Sequence, residues 1–347
     1  RYSEGIAMGE RTAEASYVDV NGLKMYYEIH GTGQPLVLLH GAFSAIGTSF
    51  GQLLPGLAEN RQVVGFELQG HGHTADIDRP LTIEGLADDV AAAIEQLGLA
   101  PADVFGYSTG AVVALQLVIR NPEAVRKLVL ASVTYTLEGV HPGLMEGLGE
   151  MSPEMMHGSP WHEEYLRIAP RPEDFPRLFA KKTQMDQQIA DIPAEAVRAI
   201  KAPSLLIIGD SDLVRPEHAV EMFRLLGGGV FGDTPAGLPD SQLAVLPGTS
   251  HVSLVSRADL LLPMITSFLD APMPGSAEGA DNYDLDDFVA GQVSLRDHLA
   301  QQIPFILPDM ADRLIAQNLV DQLDDAGYLQ ADVAEAGERL GTDAEDI

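Results

Sequence analysis

The chain has 347 residues, 46% of them apolar, which is enough to bury a substantial core and too long for a single domain of ordinary size. Lys and Arg total 21 against 51 Asp and Glu, and a net charge of −30 argues against phosphate-backbone binding as the main activity. With no cysteine there is no disulfide, thiolate nucleophile, zinc-thiolate site or iron-sulfur cluster.

No apolar run reaches the ~18 residues that a membrane helix needs, and the first fifteen residues lack the apolar centre of a signal peptide. A soluble cytoplasmic chain is expected, with no membrane and no nucleic-acid contact. Short β-branched runs at 17–20, 24–30, 35–39, 61–66, 103–107, 127–131, 204–208 and 242–246 predict eight strands. Helical patterns lie between them, so the fold class expected is α/β with a mostly parallel sheet. The helix over 81–97 opens at Thr82, a cap residue. The one over 110–120 stops at Asn121-Pro122, and the one over 216–226 starts on proline. Residues 132–201 contain no strand-like run and read as an inserted helical lid, including a helical piece over 185–200. The glycines from Gly227 to Gly237 predict a long loop before the last strand.

Composition changes at 271–279, where Pro272 and Pro274 stand among small residues that sustain neither helix nor ladder. Residues 276–347 hold 17 acidic and 3 basic side chains, nearly half the net charge in about a fifth of the chain. The expected organisation is a first domain over 1–271, a linker over 272–282 and an acidic, all-α module over 283–347. Leu314, Ile315, Leu319, Leu323 and Leu329 would supply the apolar stripe of that module.

Gly106-Tyr107-Ser108-Thr109-Gly110 follows a predicted strand and opens a predicted helix, the context in which a serine is lifted on a strained turn. A serine hydroxyl is a weak nucleophile and needs a base within reach. Of ten histidines, only His251 follows the last strand, at the carboxyl ends where Ser108 also sits. An orienting carboxylate belongs at a strand end between the two, and Gly209-Asp210-Ser211-Asp212 supplies it. Asp212 is preferred, because Asp210 abuts the strand and suits a turn cap. The strand end at Ala131-Ser132-Val133-Thr134-Tyr135 holds no carboxylate. Developing negative charge needs donors, and the amides of Ala42, with Phe43 as the neighbouring option, and of Thr109 are placed to give them.

Together these residues resemble the α/β-hydrolase superfamily over about 16–270, in its serine esterase, lactonase and perhydrolase branch. His40-Gly41, Gly70-His71-Gly72-His73-Thr74, the Ser108 turn, Gly209-Asp210-Ser211-Asp212 and Gly248-Thr249-Ser250-His251 carry the likeness. It implies an eight-stranded sheet, a lid over the pocket and acyl transfer through Ser108, His251 and Asp212, with no metal or organic cofactor required. Epoxide hydrolases and haloalkane dehalogenases of this fold put aspartate where Ser108 stands, which disfavours their chemistries here. Glu67 and His73 depart from what relatives carry near the pocket mouth.

Beyond the linker, Ser294-Leu295-Arg296-Asp297-His298-Leu299, Leu323-Asp324-Asp325-Ala326-Gly327-Tyr328-Leu329 and Glu338-Arg339-Leu340-Gly341 resemble the polymerase-core-binding region of sigma-54 factors. That likeness implies RNA polymerase core as the partner of residues 283–347 alone, since the DNA-reading parts of such factors are absent. Gly275-Ser276 suits a cloning scar, and a joined chain is expected at that seam. A single genomic reading frame encoding both halves would overturn this expectation. The function expected is hydrolysis of a small apolar ester or lactone. The alternatives are a ligand-binding or signalling protein on the same fold, and a transcription-related fusion.

Overall fold

The computed structural model describes residues 14–234, 237–274, 299, 303, 307 and 309–323, and falls into two units, Arg1–Ala271 and Pro272–Ile347. In the first unit Leu36, Val37, Leu38 and Leu39 are consecutive and all fully buried, as are Val104 with Phe105 and Leu128, Val129 and Leu130. Side chains alternate faces along a strand, so such runs require cover on both sides, which is the signature of a central parallel sheet.

The strands are β1 Glu14–Val20, β2 Leu23–His30, β3 Gln34–Leu39, β4 Arg61–Phe66, β5 Ala102–Tyr107, β6 Val125–Ala131, β7 Ser204–Ser211 and β8 Gln242–Ser250. They form one eight-stranded sheet in the order β1-β2-β4-β3-β5-β6-β7-β8. The β1-β2 and β2-β4 pairs are antiparallel and the rest are parallel. Val37, Leu39, Val64 and Val104 face one apolar cluster, while Leu36, Leu38, Val63 and Phe105 face another on the opposite side.

Helices cover the faces: α1 Ile46–Phe50, α2 Leu54–Leu57, α3 Ile83–Gln96, α4 Thr109–Arg120, α5 Leu144–Gly149, α6 Pro160–Ile168, α7 Phe175–Gln188, α8 Ala194–Arg198, α9 Pro216–Leu225 and α10 Ala258–Asp270. Thr82 caps α3, its hydroxyl accepting from the Gly85 amide at 3.0 Å. Lys127, buried in the sheet, donates to the Phe268 and Leu269 carbonyls at 2.9 and 3.2 Å and also to Ala271. It thereby satisfies the free carbonyls at the end of α10.

The excursion between β6 and β7 carries α5 to α8. The helix expected over 185–200 does not form as one piece: α7 ends at Gln188, Ile189 is extended, and α8 starts only after Pro193. Proline lacks an amide hydrogen and pushes the residue before it out of the helical region. Ile192 instead donates its amide to the Tyr135 carbonyl at 2.8 Å, and Asp191 accepts from the Leu137 amide at 2.8 Å. At its other end α7 is clamped to the loop after β4. Buried Asp76 receives Arg177 Nε at 2.7 Å and Lys181 Nζ at 2.8 Å. Lys181 also donates to the Ile77 and Arg79 carbonyls, both at 2.7 Å.

Of the second unit, the described helix is Met310–Val320. Of the stripe expected there, Ile315, Leu319 and Leu323 are half-buried, whereas Leu314 is corrected, being 64% exposed while Val320, outside the expected stripe, is 9% exposed. Six residues on a helix turn through about 600°, which puts these two on different faces. Leu329, Gly275-Ser276 and most of 275–347 lie outside the described residues. Among the described residues no helix is long and apolar enough to cross a membrane, and no group of three or more His, Cys, Asp or Glu side chains could hold a metal ion.

Candidate active site

Sheet order sets the site. Leu39 pairs with Gly106, Tyr107 with Ala131, Ala131 with Ile207 and Ser211 with Ser250, so β3, β5, β6, β7 and β8 end side by side. The segments leaving those ends begin at His40, Ser108, Ser132, Asp212 and His251. Residues far apart in sequence are therefore neighbours along one rim.

Ser108 has φ +55° and ψ −121°, a conformation costly for any residue with a side chain. The turn closes because both flanking glycines allow it. A Cβ on Gly106 would strike the Gly110 carbonyl, and one on Gly110 would strike the Leu39 carbonyl. Ser108 is half-buried, and its amide donates to the Ala131 carbonyl at 2.9 Å. Its Oγ lies 3.0 Å from His251 Nε2.

His251 Nδ1 lies 2.8 Å from Asp212 Oδ1. With the carboxylate accepting from Nδ1-H, Nε2 is left as the acceptor that faces Ser108. Asp212 is 5% exposed and well supplied with donors. The Leu213 amide donates to Oδ1 at 2.7 Å, while the Ser132 hydroxyl and the Gly209 amide donate to Oδ2 at 2.5 and 3.2 Å. Burial alone would raise this carboxyl, but the imidazole's hydrogen bond and charge, with the Ser132 and Gly209 donors, outweigh it and hold Asp212 below the usual range. Asp210 points elsewhere. It accepts from the amides of Gly248 and Thr249 at 2.8 and 3.1 Å and so fixes the turn that delivers His251.

Two contacts at this rim escape sequence reasoning. Ser132, in a left-handed conformation at φ +56°, reaches Asp212 across the β6-β7 register. Tyr107 donates its hydroxyl to the His251 carbonyl at 2.8 Å and stacks its ring on the imidazole at 5.4 Å. The apolar seat of Tyr107 on β5 was legible, but its partner is set by the loop after β8, which carries no pattern of its own.

The turn after β3 brings Ala42 and Phe43, both half-buried, beside the Ser108 turn, with Gly41 in reach of the Ser108 side chain. His40 is fully buried, with Nδ1 2.8 Å from the Gly41 carbonyl and Nε2 accepting from the Leu68 amide at 3.0 Å. Burial pushes its imidazole down from the ordinary value. Burial also pushes His71 down, to about 3, and leaves its Nε2 without a hydrogen-bond partner among the described residues. Glu67, 1% exposed, accepts from the His73 ring at 2.9 Å and from the Ile46 amide at 3.4 Å. Beside α7, a cavity of about 360 Å³ opens among the apolar Leu137, Met145 and Leu148 and the polar Glu146, Asp186 and Gln187, and no residue of the Ser108 site lines it.

Residues 34–188 match the family model described as alpha/beta hydrolase fold. The first unit has that fold. Residues 284–347 match the model described as sigma-54 factor, core binding domain. A protein of Azorhizobium caulinodans that carries the name carbamate hydrolase is 23% identical over 261 residues, 70% of this chain and 94% of that one. The solved enol-lactonase of Burkholderia xenovorans LB400 is 21% identical with a TM-score of 0.56, covering 74% of this chain and 100% of that one. At such identities the likeness is one of fold. The RNA polymerase sigma-54 factor of Rhizobium etli is 76% identical over 87 residues, 23% of this chain and 16% of that protein. The chain thus spans about a sixth of the length of the sigma-54 relative.

Proposed function

We propose that the chain is a serine hydrolase of carboxylic esters or lactones. In this reading Ser108 is the nucleophile, His251 the base and then the acid, Asp212 the orienting carboxylate, and the amides of Ala42 and Thr109 the oxyanion donors. The observation that carries it is the unbroken line of contacts from Ser108 Oγ to His251 Nε2, 3.0 Å, and from His251 Nδ1 to Asp212 Oδ1, 2.8 Å.

Chemistry follows from that line. Ser108 attacks the acyl carbonyl carbon while Nε2 takes its proton, and ionised Asp212 stabilises the imidazolium and keeps Nδ1-H directed at itself. The carbonyl oxygen becomes negative beside the amide of Thr109, the first residue of α4, where the helix end favours anionic charge. As the tetrahedral adduct collapses, the proton on Nε2 goes to the departing alkoxide. Water, deprotonated in turn by His251, then frees the acid and restores the Ser108 hydroxyl. The excursion over 132–201 serves as a lid.

A panel of short-chain esters and lactones tests this reading, with p-nitrophenyl acetate as the first member. Turnover by the wild type, reduced on the order of 10⁶-fold in Ser108→Ala, is the expected result. Equal turnover in the two ends the assignment.

A separate observation favours a second activity. The match of 284–347 to a core-binding domain, with high identity to a sigma-54 factor, supports contact with RNA polymerase core through that segment. Core polymerase retained by the full chain but not by a chain ending at Pro274 is expected. Equal retention of both refutes it.

A further inference from the structure

Phe43 stands next to Ala42 in the turn after β3, and its backbone has φ +56°. A bulky side chain in the left-handed region is a true outlier, and the turn's own closing bond, from the Ser44 amide to the Gly41 carbonyl, is a long one at 3.3 Å. Its ring is met from outside the sheet. Phe179 of α7 stacks on it at 5.2 Å with only 14° between the planes, and Phe175, one helical turn earlier, lies at 6.1 Å. Both are buried, at 6% and 2% exposure. Phe175 is itself braced by Tyr165 and His162 of α6, at 5.2 and 4.8 Å.

The helix that presents these rings is fixed from its other side. Asp76 holds Arg177 and Lys181, Lys181 also grips the Ile77 and Arg79 carbonyls, and Leu178 packs over Gly70. A continuous path of contacts therefore runs from Asp76 through α7 to the Phe43 ring and the backbone of residues 42 and 43.

Building on the hydrolase reading above, we propose that Phe43 is a positioning residue through which the docked α7 holds the oxyanion turn in its working shape. The strained backbone of Phe43 is kept by ring stacking on Phe179, and the Ala42 amide is aimed as a result. When α7 lifts, the stack is lost, Phe43 relaxes out of the left-handed region, and the adjacent amide turns away. Lid docking and oxyanion binding are then one event, so the hydrolase is competent only when covered. The alternative is that the three rings merely fill space, in which case α7 would affect substrate binding without altering the chemical step.

A double-mutant cycle separates the two. Phe179→Leu keeps apolar bulk and removes the flat stacking surface, while Phe43→Gly removes both the ring and the backbone strain, so the turn no longer depends on α7. With p-nitrophenyl acetate, Phe179→Leu in the wild-type background is expected to lower kcat about tenfold, the scale of a weakened oxyanion donor, with KM changed less than ~3-fold. In the Phe43→Gly background the same substitution is expected to change kcat less than ~3-fold. Asp76→Asn, which loosens α7 from the opposite side, is expected to follow Phe179→Leu: about tenfold lower kcat with the Phe43 ring present and less than ~3-fold change in the Phe43→Gly background. An equal loss of kcat with and without the Phe43 ring, or an effect confined to KM, overturns the coupling. Failure of the wild type to release p-nitrophenol or take up a fluorophosphonate at Ser108 instead strikes the hydrolase reading itself, and this proposal falls with it.

Discussion

Two aspartates two residues apart do different work at the end of β7, and their environments say which. Asp212 is buried against His251 and Ser132, while exposed Asp210 accepts from Ser211 and from the turn before His251. Asp212→Asn is expected to cut kcat by about 10⁴, because the amide no longer enforces the imidazole tautomer. Asp210→Asn is expected to cost about tenfold or less, since it loosens a turn without touching the proton path. Steady-state kinetics of the two variants side by side distinguish these roles, and a larger loss at Asp210 would reverse them. Ser132→Ala removes a donor from a buried carboxylate. A loss of about 1.5–3 kcal/mol in stability is expected, read as a lowered urea midpoint, with kcat reduced alongside. The Ser108 turn and the order of the three residues could be read from the sequence because glycine spacing and strand ends leave a pattern. The Ser132 contact could not, since it depends on the register between two strands and on a positive φ at a residue that carries no sign of it.

At the scale of elements, the strands and the helices that cross between them were legible because their periodicity and end signals agree. The excursion between β6 and β7 was legible only as helical. Its breaks come from Pro193 and from carbonyls and amides on the β6 exit loop, which are tertiary events. The loop after β4 carries a pH dependence whose sign follows from burial. His71 titrates near 3 in the folded chain, against an ordinary 6.5. Between those values the unfolded chain binds a proton that the folded chain refuses. Stability contributed by neutral His71 is thus complete above about pH 6.5 and is lost as the pH falls toward 3, at up to ~1.4 kcal/mol per unit. Urea midpoints of the wild type at pH 7, 5 and 4 are expected to fall in that order. In His71→Phe the slope is expected to flatten by His71's share, leaving those of His40 and His218, which burial also pushes down. An unchanged slope would locate the dependence elsewhere.

For the molecule as a whole, charge and family both change near the end of α10. Arg61 pairs with Asp270, Arg126 donates to the Leu269 carbonyl, and Lys127 caps the last turn, so the first unit closes its final helix with its own side chains. A chain ending after Pro274 is therefore expected to melt within ~2 °C of the full chain's hydrolase transition and to keep its ester turnover. A loss of cooperative melting would mean that the acidic segment supports the sheet. The change of composition near 271 was plain in the sequence. The packing of the segment beyond it was not, because a short apolar stripe leaves the choice of buried helix face to its neighbours, as exposed Leu314 shows.

In the proposed hydrolase the reacting group is the hydroxyl on the turn after β5. Labelling the full chain with a fluorophosphonate and sequencing the modified peptide by tandem mass spectrometry tests it directly. One adduct is expected, on Ser108, absent from Ser108→Ala and formed far more slowly in His251→Ala. An adduct on another residue, or ester hydrolysis that persists with Ser108 unmodified, would contradict it.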